Sequence, residues 1–465
     1  GDVLQNAARA MGAADLKSIE YSGSGFNFAL GQSVRPFAAW PKFNVKSYTR
    51  TIYFPTNSSR EEMVRTQFEN PPRGGGAQPI AGEQRQVQVV SGTHAWNVAG
   101  NNNIPAPAAA TERMLALLMT PHAFLKAALA RRATLTSGPV RSGRKTSDVA
   151  SFVVDGKYTL KGVINDQGLV DRVETRIPNP AAGDILVEMI YSNYQDFGGV
   201  KFPTKIIQRT LGHPTLDITI TEVKPNVAVS IETPAAVRVA AIPPVRVDSQ
   251  KLADGVWYLT GGSHHSVAVE FRDYSVVIEA PLNEERSLAV IGEVKKLVPN
   301  KPIRYLVSTH HHFDHSGGVR TFVAEGATLI THDINKVFYH EVVGARRTLS
   351  PDKLSQTPKR LLMIEMKEKH VLSDGSRVVE LHHIQGNAHH QGIIMAYLPK
   401  EKLLVEADVY TPGAANAPPP ATPHPFQVNL YENIQRLNLA VDRIAPLHGR
   451  IVTMSDLLKS IGKAG

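Results

Sequence analysis

The stretch that most restricts how this chain can fold is the run Ile303 to Val307, which opens directly onto Ser308-Thr309-His310-His311-His312-Phe313-Asp314-His315-Ser316-Gly317-Gly318. The run is short and largely apolar and lies between Pro302 and Ser308, so it reads as a buried strand. In an extended chain alternate side chains share a face, so His310 and His312 point together and His311 points away. Gly317-Gly318 then open a short helix. His310, His312, Asp314 and His315 therefore gather nitrogen and oxygen donors at a strand end, the donor set that zinc-type ions prefer. A tag-like histidine tract would instead be terminal, with linker residues on its flanks.

Fifteen of the 18 histidines lie after residue 260, which confines the candidate chemistry to the second half. Three later segments follow in order. Gly386-Asn387-Ala388-His389 precedes the apolar run Ile393 to Leu398, Leu403 to Asp408 reads as a strand ending in a carboxylate, and Pro446-Leu447-His448-Gly449 closes the series. This succession, begun by His310-x-His312-x-Asp314-His315, resembles the metallo-β-lactamase superfamily over about Val247 to Lys463.

The resemblance implies an α/β (α+β) fold class for this half, an αββα sandwich with its metals at one edge. It implies that His310, His312 and His389 hold one metal, that Asp314, His315 and His448 hold a second, and that Asp408 bridges them. His390, beside His389, competes for the same role, and the family spacing favours His389. The implied cofactors are two Zn2+, with Fe or Mn as alternatives, and Asp314 would also accept and return a proton. A zinc pair makes hydroxide available at neutral pH, so the implied activity is hydrolysis of an ester, lactone, amide or β-lactam. An iron-dependent redox enzyme of the same fold is the alternative. Glu279 stands where many relatives carry aspartate, and Ala407 replaces their usual glycine. His264 and His265, in a turn that overhangs the metals in the resembled fold, are candidate substrate contacts, as is Tyr410.

The first half reads differently. A helix is expected from Asp2 to Gly12, then alternating strand segments at Ser18 to Leu30, Phe43 to Phe54, Glu61 to Phe68 and Gln86 to Val90, separated by Gly and Pro clusters such as Pro71 to Gly76. Thr111 to Arg131 has a leucine stripe and is expected to be one helix. Further strands run from Ser151 to Val223. The expected product is a β-rich domain, residues 1–232, with a curved antiparallel sheet. Tyr191, the Gly198 to Pro203 turn and the run to Val223 resemble periplasmic lipoprotein-carrier domains, which would make a lipid-binding protein a third functional reading. Residues 233–246, rich in Pro, Ala and Val, are expected to form a stiff linker without helix, and residues 247–465 the catalytic domain.

At 465 residues, two domains are the natural expectation. The net charge of +9 comes without a nucleic-acid motif or a long Lys/Arg block, so no nucleic-acid partner is expected. Arg346, Arg347, Lys353, Lys359 and Arg360 read as a solvated positive face or as a guide for an anionic substrate. No apolar run approaches the roughly 20 residues of a membrane helix. The partners implied are a small-molecule substrate and, as an open alternative, a second copy of the chain. The absence of cysteine excludes disulfides and thiolate ligands. Together with a start at Gly1, as after removal of a leading segment, it places the expected compartment in the periplasm or outside the cell.

Overall fold

The computed structural model describes residues 2–137, 140–141, 144–145 and 147–464. Helix is expected and found at Asp2–Ala10. The strands of the first half then form one 13-stranded antiparallel sheet. Chain neighbours pair as hairpins, and the first strand, Ser18–Phe28, closes the two halves of the meander by pairing with the last, His213–Pro225 (Ile19 opposite Pro225, Phe26 opposite Asp217). Register shifts interrupt several of these pairings, for example between Ser22 and Gly23 and between Val45 and Ser47. Extra residues of this kind bend strands. One face of the sheet buries Ile19, Tyr21, Val45, Leu160 and Phe202 against Met11, Leu117 and Phe124 from the helices.

The expected helix over Thr111 to Arg131 is two helices, Ala110–Leu118 and Pro121–Ala130. Proline at 121 disfavours helical backbone at the residue before it, and Thr120 is extended (φ −68°, ψ 149°). The stiff linker is also corrected: Ala235–Arg238 forms one helical turn after Pro234. The turn forms because Val237 is buried against Val87, Val89 and Trp96, a tertiary contact that outweighs weak local propensity.

His122 lies within this first core. Its ring stacks on Phe202, 5.8 Å between centroids, and its Nε2–H donates to Met11 O at 3.1 Å. Burial pushes the imidazole down to about 4. The unfolded chain therefore binds a proton that the folded chain refuses, so stability is full above about pH 6.5 and falls as the pH drops towards 4. The loss from this one group is about 3 kcal/mol. His122→Phe is expected to flatten the acid side of the stability profile, as read by denaturant unfolding at about pH 7.5 and about pH 4.5.

In the second half two sheets face each other. Asp248–Ala253, Val256–Thr260, Ser266–Glu270 and Ser275–Ile278 pair antiparallel, and Ile303–Val307, Thr328–His332 and Met363–Met366 extend that sheet in parallel. The second sheet runs from Lys369–Ser373 to Val452–Thr453 through four further strands. Val267, Ile278, Val379, Leu381, Ile394 and Val405 fill the space between the sheets. Glu284–Leu297, Val319–Glu325 and Lys336–Gly344 cover the outside of the first sheet, and Pro425–Arg436 and Met454–Ser460 the outside of the second. This is the αββα sandwich. In Glu284–Leu297 the inward residues are Val290, Ile291 and Val294, with Leu288 and Leu297 only half-buried. No helix is long and apolar enough to cross a membrane among the described residues.

The first half packs against the sandwich at two places. Asp184 accepts from the backbone N–H and hydroxyl of Thr348, and Arg347 donates to the carbonyls of Asn179 and Pro180. Arg347 is thus a half-buried strut between the halves and not part of a freely solvated face, because its guanidinium is occupied by carbonyls of the first half. The second contact lies at the histidine cluster.

Candidate metal centre

Several strand ends build the centre. Ile303–Val307 stops at Ser308, and His310 to His312 follow before the one-turn helix Phe313–Ser316. Ser275–Ile278 delivers Glu279, and Leu403–Glu406 delivers Asp408 two residues on. Glu279 (φ 76°) and Asp408 (φ 64°) both have left-handed backbone, a conformation that costs a residue with a Cβ and tends to persist at functional sites. Around Asp408 the strain is held by Glu406, whose Oε2 accepts from the backbone N–H groups of Val409 (3.2 Å) and Tyr410 (3.1 Å). Burial keeps the Glu406 carboxyl well above the usual range.

Four imidazoles have one nitrogen fixed by a hydrogen bond, which turns the other towards a common centre. His312 Nε2–H donates to Ser33 O at 2.8 Å. His315 Nδ1–H donates to Glu279 Oε2 at 2.9 Å, and His448 Nδ1–H to Ser263 O at 3.3 Å. Thr309 gives its hydroxyl proton to Glu279 (2.5 Å), so its oxygen accepts from His310 Nδ1–H at 2.9 Å. What remains is a group of nitrogens facing one another: His310 Nε2 to His312 Nδ1 is 3.0 Å, His310 Nε2 to His389 Nε2 3.3 Å, and His315 Nε2 to His448 Nε2 3.0 Å. Lone pairs set face to face repel unless a cation lies between them, and nitrogens around tetrahedral zinc sit about 3.3 Å apart. Burial drives His310 well below the ordinary value and His312 to about 3, which keeps both in the neutral form that binds metal.

The donors fall into two adjacent groups, His310, His312, His389 and Asp408, and His264, Asp314, His315 and His448, with Glu279, His310 and His315 as a third that overlaps both. Asp408 touches both: Oδ2 is 3.0 Å from His389 Nε2, 3.2 Å from His310 Nε2 and 3.0 Å from His315 Nε2, while Oδ1 is 2.7 Å from His448 Nε2. His390 turns away, with its Nε2 2.6 Å from His311 Nδ1 and its Nδ1 accepting from Gly392 N. The seven residues of the expected ligand set thus come together, with His264 as an eighth. His264 takes the Ser263 hydroxyl on Nδ1 (2.8 Å) and donates from Nε2 to Asp314 Oδ2 at 3.0 Å.

Two expected substrate contacts are corrected. His265 is buried, hydrogen-bonded to Gly449 O and edge-on to Tyr258, behind the centre. Tyr410 packs in the outer core of the second sheet with Leu430 and Phe426, because the Glu406 turn directs its side chain inward.

The wall opposite the sandwich comes from the first half, which the sequence did not mark for this purpose. Gln32 Nε2 donates to Asp314 Oδ1 at 2.7 Å. Gly74 N donates to Ala388 O (2.8 Å), and Gln391 N to Val34 O (2.8 Å). Glycine is required at Gly31 (φ 73°), where a Cβ would lie 2.3 Å from the Phe313 ring; one at Gly75 would displace the Gln32 side chain (1.9 Å from Oε1) and lie 3.1 Å from the His312 ring. A cavity of about 670 Å³ lies between the halves, lined by Gln32, Arg65 and Gln78 on one side and by His264, Asp314, Asp408 and His448 on the other. That is an ordinary size for a small-molecule site. The long loop after Tyr410 supplies its rim through Thr411 and His424, whose Nε2 donates to Gln78 O at 3.0 Å.

Residues 259–439 match the family model described as the Metallo-beta-lactamase superfamily. The second half carries this superfamily's fold. Members are mostly enzymes, hydrolases or oxidoreductases, and the fold typically binds metal ions. Among solved structures, the chain is similar to a metallo-β-lactamase from Pontibacter korlensis (17% identity, TM-score 0.36, over 46% of this chain and 97% of that one). It is also similar to the mono-zinc form of the metallo-β-lactamase FIM-1 from Pseudomonas aeruginosa (21%, 0.36, 47% and 95%). A third likeness is to rubredoxin oxygen:oxidoreductase from Desulfovibrio gigas (17%, 0.35, 45% and 58%). No curated protein matches the chain.

Proposed function

We propose that the chain is a two-metal hydrolase that cleaves an ester, lactone, amide or β-lactam bond of a small molecule in the cavity between its halves. The observation that carries this reading is the position of Asp408, whose two carboxylate oxygens reach the two donor groups. In it, His310, His312 and His389 would hold one ion and His315, His448 and Asp314 the other, with Asp408 placed to serve both. Bound zinc would supply Lewis acidity and an acidified water at neutral pH.

The chain's own residues do the rest. In hydrolysis a water oxygen adds to the acyl carbon, the bond to the leaving group breaks, and one water proton ends on the leaving atom. Asp314 is suited to carry that proton. The hydrogen bond from His264 Nε2 at 3.0 Å holds its carboxylate in the cavity. Gln32 fixes Oδ1, which leaves Oδ2, shared with His264, as the oxygen that takes and returns the proton. Residues 1–232 act as an accessory domain that walls the site and keeps bulk water from its open side.

A panel of ester, lactone, amide and β-lactam substrates, run before and after chelation and after metal is restored, tests the reading. Turnover of one class that chelation removes and added zinc restores is expected. Turnover indifferent to chelation would overturn it, and so would iron-dependent oxygen reduction with no hydrolysis.

A further inference from the structure

Arg65, on the strand Ser58–Gln67 of the first half, is 8% exposed and lines the cavity that contains Asp314 and Asp408. Its Nε donates to Gln84 Oε1 at 2.6 Å, and its guanidinium lies over the Phe43 ring, 4.3 Å from the centroid. It forms an ion pair with no carboxylate among the described residues; the other buried arginine of this sheet, Arg50, has Glu61 at 3.6 Å. Burial pulls the Arg65 pKa down, with no acidic neighbour to offset it. A buried cation without a counter-charge is costly, so its retention facing a cavity needs a partner that the cavity admits. The stack on Phe43 and the bond to Gln84 occupy the ring face and Nε, and the two terminal nitrogens remain for a planar, two-point acceptor.

We propose that Arg65 is a specificity residue that pairs with a carboxylate of the substrate, so that the accessory domain selects anionic small molecules for the metal centre. This rests on the hydrolase reading above. The guanidinium fork grips the carboxylate while the bond to be cleaved lies towards Asp314 and Asp408, across the same cavity. The accessory domain then has a chemical task beyond walling the site.

The test compares two 4-nitrophenyl esters of equal chain length, the glutarate monoester with a free carboxylate and the neutral pentanoate, on the metal-loaded full chain. Arg65→Gln is expected to lower kcat/KM for the glutarate ester roughly 10- to 100-fold, mainly through KM, and to leave the pentanoate ester within about twofold. Arg65→Lys, which keeps the charge but loses the fork, is expected to fall between. Metal content and melting temperature check that the variants are folded and loaded. Equal losses on both esters, or no loss on the glutarate ester, would overturn the proposal. If neither ester is cleaved, the substrate panel decides the hydrolase reading by itself, and calorimetric binding of free glutarate decides for Arg65. Weaker binding by Arg65→Gln of the same magnitude supports the proposal; equal binding, or none by the unsubstituted chain, rejects it.

Discussion

Asp408→Ala is expected to lose metal and turnover together, with metal affinity down by more than about 100-fold and kcat/KM by roughly 10³-fold. Its oxygens reach both donor groups, 2.7–3.2 Å from His310, His315, His389 and His448. Without it, the facing nitrogens lose the negative charge that draws cations between them. Asp408→Asn is the sharper version of the experiment. Asparagine tolerates left-handed backbone, so the turn at φ 64° survives while the charge goes. Chelator-competition titration and steady-state kinetics on both variants check the expectation. Near-native metal affinity in Asp408→Asn would show that the carboxylate is not a ligand.

Glu279→Gln is expected to weaken metal binding about 10- to 100-fold without touching a metal. The carboxylate is fully buried. It accepts from Thr309 N (3.1 Å) on Oε1, and from the Thr309 hydroxyl (2.5 Å) and His315 Nδ1 (2.9 Å) on Oε2. An amide has one acceptor oxygen, so its NH₂ must face a donor. Either Thr309 loses its place beneath His310 or His315 moves its proton to Nε2, where the lone pair is needed. The unmatched donor also costs about 1–3 kcal/mol of stability. Metal titration together with the melting temperature separates this from simple unfolding: the chain should fold, and bind metal poorly.

Much of the sandwich was legible because its chemistry is local. The strand into His310 and the short spacings to Asp314 and His315 fix donors on one loop, and the ends of later strands add His389, Asp408 and His448. The Thr120-Pro121 break and the turn at Ala235–Arg238 were misread for opposite reasons. The first is a backbone rule hidden inside a convincing leucine stripe, and the second depends on Trp96, about 140 residues away in the chain. Gln32, Ser33, Gln78 and Arg65 were not legible as site residues. They meet the centre only through the packing of one half on the other, and no spacing within the first half encodes that. The Gly74-Gly75-Gly76 cluster carried a trace of it, since such a run suits close backbone approach as well as a turn.

The chain is proposed to build a two-metal centre. Metal content measured by plasma mass spectrometry, on this chain purified without a histidine tag, tests it most directly. About two ions per chain are expected, removed by chelator and recovered on reconstitution. A chain that carries no metal and takes none up, with the fold intact, would contradict it.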